Sequence, residues 1–227
     1  MLANEAGMSS YINASFVDSF KRKDAFITTQ MPLPDTVADI WRLAYDWNCS
    51  TMIMMHGPYT SKNEKVQYCP DAGMVEFGSL CVEVVDQSKG RVYNTTTLEV
   101  SRANHEGHIL TVKHFELNGW ASNEDKPNSP QIILDLLDDV NSWQAECPST
   151  GPAVVQCING IGRSGVFCAV STIVERMARE EVVDVFQEVK RLRMNRPQMI
   201  ESLDQYILCY EVIHLHLERF QQYDNLL

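Results

Sequence analysis

The 227-residue sequence has no Cys-x-x-Cys pair, no Gly-Lys-Ser or Gly-Lys-Thr, no apolar run of membrane-spanning length, and little positive charge. Its seven cysteines, an odd number without paired spacing, argue against a disulfide framework and suit a reducing compartment. His214 and His216 are two apart on an expected helix and so face different ways, and neither a metal site nor a cofactor is expected. Without a lysine and hydroxyl residue after its glycines, no Walker-type nucleotide loop is available. The N-terminus also lacks a basic segment followed by an apolar one. The expectation is a chain neither secreted nor inserted, with the cytoplasm as its compartment. Lys and Arg number 19 against 30 Asp and Glu, a formal charge of −11. Nucleic-acid binding depends on clustered cations and is not expected, and the basic run at Lys190-Arg191-Leu192-Arg193 reads as a solvated helix face. What is present, 44% hydrophobic and 22% charged residues, is ordinary for a globular chain long enough for one sizeable domain.

The most informative stretch is Gln156 to Gly165. The apolar run Ala153-Val154-Val155 before it reads as a buried strand, and Val166 to Val174 after it continues at helical spacing. A strand, a glycine-bearing turn and a helix start therefore meet at Cys157. Gly160, Gly162 and Gly165 allow successive amide N–H groups to turn inward and, with the positive helix end, to cradle a tetrahedral oxyanion. The same field stabilises a negatively charged sulfur, the nucleophilic form. Arg163, six places on, is placed to curl back and hold two phosphate oxygens bidentately. Ser164 can hydrogen-bond the sulfur and ease its departure. A bare Cys-x5-Arg is common by chance, but none of the other six cysteines has an arginine at that spacing. The competing reading is a buried cysteine at a glycine turn, with Arg163 on the surface.

Around this stretch the pattern predicts an alternation of strands and helices. Ala25–Thr29 and Thr51–Met55 read as strands, the second central and filled by methionine. A helix is expected through Val37, Ile40, Trp41, Leu43, Ala44 and Trp47, capped by Asp35-Thr36, with both tryptophans in the core. Leu80–Val85, Val92–Val100 and His108–Leu117 read as an antiparallel extension of the sheet. Ser129-Pro130 opens a helix ending near Cys147-Pro148, Asp184 caps another, and Ile207–Phe220 closes the domain. Residues 1–10 read as an unstructured or truncated lead-in, 11–220 as a single domain, and 221–227 as a frayed tail.

At Cys157–Gly165 the sequence resembles a protein-tyrosine phosphatase, whose signature loop is Cys-x5-Arg-Ser/Thr-Gly. More closely, Cys157-Ile158-Asn159-Gly160-Ile161-Gly162-Arg163-Ser164-Gly165 resembles the second, membrane-distal domain of tandem receptor-type enzymes. Active first domains usually carry His before the cysteine and Ser-Ala after it, where this chain has Gln156, Ile158 and Asn159. Tyr11-Ile12-Asn13-Ala14 and the stretch Phe26–Trp47 are also similar to family segments, as is Glu64-Lys65-Val66-Gln67-Tyr68-Cys69-Pro70, with Cys69 for a tryptophan. The resemblance extends from Tyr11 to Phe220. It implies an α/β fold with a twisted mixed sheet and helices on both faces. It also implies catalysis by Cys157, Arg163 and Ser164, with phosphate bound by residues 158–163 (Ile158, Asn159, Gly160, Ile161, Gly162 and Arg163).

Two further segments depart from the family pattern. In active relatives a Trp-Pro-Asp loop closes over substrate and its aspartate protonates the leaving oxygen. Here Trp120 is kept, Ala121 replaces the proline and Ser122 stands at the acid position, with Glu124 and Asp125 close by. Serine is too weak an acid for the task, and losing a general acid costs about 10²–10⁴ in rate. In the glutamine loop Gln205 is kept, but Glu201 replaces the glutamine that positions the hydrolytic water. Glu201 would either face bound phosphate and repel it, drawing Arg163 to itself, or turn to solvent.

The implied function is a receptor-type phosphatase domain of low or no turnover that regulates by binding. Its expected partners are a phosphotyrosine protein, another protein or a sister catalytic domain. By resemblance it would be the intracellular part of a single-pass membrane receptor. The alternative is an active tyrosine phosphatase working through a cysteinyl-phosphate intermediate. A third reading is redox sensing, with Cys157 oxidised to a sulfenic acid that alters partner binding.

Overall fold

The strand-forming runs of Val, Ile, Thr and Met pair into one mixed sheet in the computed structural model, which describes residues 1–3, 9–56, 66–104, 107–121, 123–147 and 149–224, with side chains through Arg219. Its strands are β1 (Ala14–Val17), β2 (Phe26–Gln30), β3 (Thr51–Met54), β4 (Met74–Phe77), β5 (Leu80–Lys89), β6 (Tyr93–Arg102), β7 (Leu110–Leu117) and β8 (Ala153–Cys157). Among the described residues their order is β1-β2-β8-β3-β7-β6-β5-β4. The pairs β2–β8, β8–β3 and β3–β7 are parallel, and the remainder are antiparallel. The expected antiparallel extension is therefore present. It gains β4, an exposed edge strand whose short Met-Val-Glu-Phe run carried no distinct alternation.

Helices cover both faces, as the α/β reading requires. They are α1 (Val37–Asp46), α2 (Gln131–Glu146), α3 (Gly162–Glu180), α4 (Val185–Asn195) and α5 (Leu203–Asp224). The alternation of side chains along β8 assigns the faces. Val154 packs into the cluster that contains α1, while Ala153, Val155 and Cys157 enter the cluster built on α2 to α5. Every residue of β8 is buried, which is why this central parallel strand opens on the apolar run Ala153-Val154-Val155 without polar alternation. Helix α3 buries its first twelve residues, Gly162 to Ile173, beneath the sheet, so it cannot show a polar face there. None of the helices, among the described residues, is long and apolar enough to cross a membrane.

Several local expectations change. Trp41 is fully buried, but Trp47 is 40% exposed. Helix α1 ends at Asp46, so Trp47 leaves the helical spacing. It packs edge-on against Phe16 at 4.7 Å and donates from Nε1 to the Met1 carbonyl. Thr36 does not cap α1 with its side chain. A short 3-10 turn at Pro34–Thr36 directs its hydroxyl back to the Leu33 N–H at 2.8 Å. Asp184 does cap α4, accepting from the Gln187 N–H at 2.9 Å. Helix α5 starts at Leu203, a turn earlier than its apolar spacing indicated. The lead-in is docked where it is described, with Leu2 buried beside α1 and Arg42 donating to the carbonyls of Ala3 and Ser9.

A polar bridge crosses the sheet behind the signature strand. The Gln156 Nε2 donates to the Tyr68 hydroxyl, which meets His114 Nε2 on β7 at 2.5 Å. Burial holds the His114 imidazole down to a pKa of about 4, against an ordinary 6.5. The unfolded chain therefore binds more protons between those two values. Stability from this site is full above pH 6.5 and is lost as the pH falls toward 4, by about 3 kcal/mol in all. Denaturation midpoints measured from pH 7 to 4 should fall more steeply in the wild type than in His114→Gln. Parallel curves would show that His114 is not held neutral.

Candidate functional site

The end of β8 places Cys157 at the carboxyl edge of the central parallel strands, where open α/β sheets bind ligands. The strand is locked on both sides: Met31 N–H donates to the Cys157 carbonyl at 2.9 Å, and Met55 N–H to the Gln156 carbonyl at 2.7 Å. The chain then turns sharply. Gly160 sits at φ +73°, and a Cβ there would lie 2.4 Å from the Thr29 carbonyl carbon. Glycine is required at this position by both conformation and space. Helix α3 begins at Gly162, and its Gly165 N–H returns to the Ile161 carbonyl at 3.1 Å. The expected strand, loop and helix start therefore surround the Cys157 side chain, which is 2% exposed.

Arg163 points into the same site. Cys157, Ile158, Asn159 and Arg163 share the wall of a cavity of about 240 Å³ with Asn123, Glu124, Asp125, Glu201 and Gln205. The guanidinium already has partners in the 120–124 segment. It donates to the carbonyls of Trp120 at 3.2 Å, Ala121 at 2.7 Å and Glu124 at 2.9 Å, and stacks over the Trp120 ring at 4.8 Å. Trp120 is fully buried and its Nε1 donates to the Glu124 carbonyl at 2.9 Å. Burial lowers the Arg163 pKa from its usual range, while Cys157, Asp125, Glu124 and Glu201 pull it back up. Ser122 lies outside the described residues. Asp125 and Glu124 are exposed on the cavity rim.

The segment 198–201 brings Glu201 to the cavity wall. Gln198 and Ile200 adopt left-handed backbone angles, φ +67° and +59°. For a β-branched residue such a conformation costs on the order of 1–3 kcal/mol and persists only when its surroundings impose it. Here Arg193 on α4 donates to the carbonyls of Met199 and Ile200, both at 2.9 Å, and the Ile200 N–H donates to the Ile161 carbonyl at 3.1 Å. The strained turn is thereby tied to the signature loop and lays Glu201 over it. The Glu201 carboxylate accepts from Asn159 Nδ2 at 2.7 Å, and its backbone N–H donates to Gln205 Oε1 at 3.1 Å. Glu201 is exposed, and its carboxylate reaches across the mouth of the loop to Asn159.

Asn159 is exposed, and its side chain folds back onto the loop. Its Oδ1 accepts from the Ile161 N–H at 3.1 Å and, at a longer 3.5 Å, from the Gly162 N–H. The Cys157 thiol donates to the same oxygen at 3.5 Å. Ser164 Oγ is fully buried and has no hydrogen-bond partner among the described residues, so the expected contact from hydroxyl to sulfur is not made. Arg196 supports the loop from outside, donating to the Asn159 carbonyl at 3.2 Å, Asn13 Oδ1 at 3.0 Å and Ser15 Oγ at 3.1 Å. Sequence reasoning missed Arg196. The only available signal was its place beside the turn residues Asn195 and Pro197, which indicates a loop but no target.

Three other buried cysteines lie away from the cavity. Burial pushes the thiols of Cys49 and Cys209 up to about 12, and that of Cys168 well above its ordinary value. They are inert core residues. Cys157 is the cysteine that lines the cavity.

Comparison with known proteins adds three findings. Residues 1–215 match the family model described as protein-tyrosine phosphatase. The chain is 34% identical over 218 residues to receptor-type tyrosine-protein phosphatase alpha of Mus musculus, covering 96% of this chain and 26% of that protein. It is 35% identical over 231 residues to receptor-type tyrosine-protein phosphatase U of Gallus gallus, covering 97% of this chain and 16% of that one. The chain therefore spans about a quarter or less of these curated relatives.

Replacing Arg163 tests how much of this architecture it holds. In Arg163→Met the carbonyls of Trp120, Ala121 and Glu124 lose this donor, and an unsatisfied buried acceptor costs about 1–3 kcal/mol. The loss of stability is expected to be on the order of 3 kcal/mol, since part of the segment can relax into water. Amide exchange across 120–125 should accelerate. A variant with the wild-type midpoint and unchanged exchange would show that those carbonyls do not depend on the guanidinium.

Proposed function

The chain belongs to the protein-tyrosine phosphatase family, and on that premise we propose that it is a receptor-type phosphatase domain of weak or no turnover that acts by binding. It keeps the phosphate-binding loop but not the general acid. The observation that carries this reading is the convergence of Cys157 and Arg163 on one cavity, in a sequence that has Ser122 where the family pattern has its acid.

The chemistry follows from the groups present. Attack by the Cys157 sulfur on phosphorus breaks the bond to the tyrosine oxygen, and the loop amides with Arg163 stabilise the transferring phosphoryl group. The leaving oxygen then needs a proton. A serine hydroxyl cannot supply one at neutral pH, and the missing proton costs about 10²–10⁴ in rate. Hydrolysis of the resulting cysteinyl phosphate needs a positioned water, and Glu201 stands where the family places a glutamine. Both steps are weakened, while recognition of a phosphotyrosine protein or another protein partner does not require turnover. A sister catalytic domain is one such partner, and an intracellular position in a single-pass receptor is the setting proposed for it.

A second reading is an active phosphatase, favoured by one feature: the Asp125 side chain lines the cavity, from where it can act as the acid. The two readings part on leaving-group dependence, because an activated aryl phosphate needs little proton donation. Under the first reading the aryl phosphate is turned over slowly, a phosphotyrosine peptide at least about 10²-fold more slowly, and Cys157→Ser abolishes both. Asp125→Asn leaves the ratio unchanged. Comparable turnover of both substrates at ordinary phosphatase rates, with the peptide reaction lost in Asp125→Asn, would replace the first reading with the second.

A further inference from the structure

We propose that Asn159 and Glu201 decide what the signature loop admits: the Asn159 carboxamide oxygen occupies an oxyanion position in the cradle, and the Glu201 carboxylate locks it there. The inference rests on the oxyanion-binding reading of the loop. It adds that, at rest, one oxyanion position of the cradle is taken by the chain's own side chain.

Three contacts converge on the Asn159 oxygen: the N–H groups of Ile161 and Gly162, and the Cys157 thiol. These are the donors that a bound oxyanion would use, together with the sulfur that would face its central atom. An asparagine oxygen bonded to the N–H two residues on is common in turns and by itself means little. Two other features separate this case from such a turn. The oxygen also takes the Cys157 thiol, and beside it the Ser164 hydroxyl is buried with no partner among the described residues. The other end of the carboxamide is held from 42 residues away, by Glu201 Oε2 at 2.7 Å.

That holding contact is built into the fold. Glu201 follows the left-handed Ile200, whose carbonyl is held by Arg193 and whose N–H is held by Ile161. The carboxylate lies close over Gly162, where a Cβ would come within 2.8 Å of Glu201 Oε1. An incoming dianion must therefore displace a neutral oxygen that already satisfies the amides. It must also approach a fixed carboxylate, whose like charge opposes it. Asn159 and Glu201 are positioning residues: they act on binding through the occupancy of the cradle and take no part in bond making.

The test is calorimetric titration of inorganic phosphate into the wild type, Asn159→Ala and Glu201→Gln. Asn159→Ala removes the plug and should bind phosphate at least tenfold more tightly than the wild type. Glu201→Gln keeps an acceptor for Asn159 Nδ2 but removes the charge, and should give a smaller gain. The gains should combine non-additively in the double variant, since the two side chains are in contact. Equal affinity in wild type and Asn159→Ala would overturn the plug while leaving the oxyanion reading intact. No binding by either protein, with both folded by thermal melting, would overturn the oxyanion reading and the plug with it. The wild type alone supplies a second measurement that does not depend on a variant folding. Saturating phosphate should shift the side-chain amide resonances of Asn159 as Nδ2 leaves Glu201, and phosphate bound with those resonances unmoved would overturn the proposal.

Discussion

A buried guanidinium must be hydrogen-bonded, and the structure around the site is arranged by how Arg163 meets that requirement. Rooted in the first turn of α3, it reaches the carbonyls of Trp120, Ala121 and Glu124 and lies over the Trp120 ring. Removing a charged group from water costs several kcal/mol unless its donors are satisfied. The loop that faces the cysteine is therefore pinned to the helix that follows the cysteine. Wall and floor of the cavity are one connected unit, and a ligand seeking Arg163 competes with backbone carbonyls already in place.

The wall that holds Glu201 is pinned by the same kind of interaction. Arg193 holds the strained turn at Met199 and Ile200, and Arg196 holds the Asn159 carbonyl together with Asn13 and Ser15. Three arginines, Arg163 on α3, Arg193 on α4 and Arg196 just past it, thus fix the loops in space, and of these Arg163 lines the cavity. What the cavity does present includes Glu124, Asp125 and Glu201. In an acidic chain this is a mouth that does not draw in phosphate by its field, whatever the amides beneath it can hold.

The signature stretch was legible because its chemistry is local. A strand of small apolar residues, glycines at the turn and a helix start are consequences of a few consecutive residues, and Gly160 at positive φ is what that spacing required. The helices and the central strand were legible through their periods. The misreadings have local causes as well. Thr36 bonds back to Leu33 because proline begins a 3-10 turn there, and Trp47 falls just beyond the end of its helix. Side-chain direction within the signature loop was not legible. Cys157, Asn159 and Ser164 are all capable of hydrogen bonding one another, and composition does not rank those pairings.

The sequence by itself determined the central strands and the helices, the glycine turn, and the residue types that meet at Cys157, because these depend on backbone preferences and apolar periods within short windows. Tertiary structure alone decided that Glu201, 42 residues beyond Asn159, would hold its carboxamide, and that segment 120–124 would take up the Arg163 donors. Such pairings depend on the positions of loops carried by different elements of the sheet and helices. Only the packed core brings them within hydrogen-bonding reach.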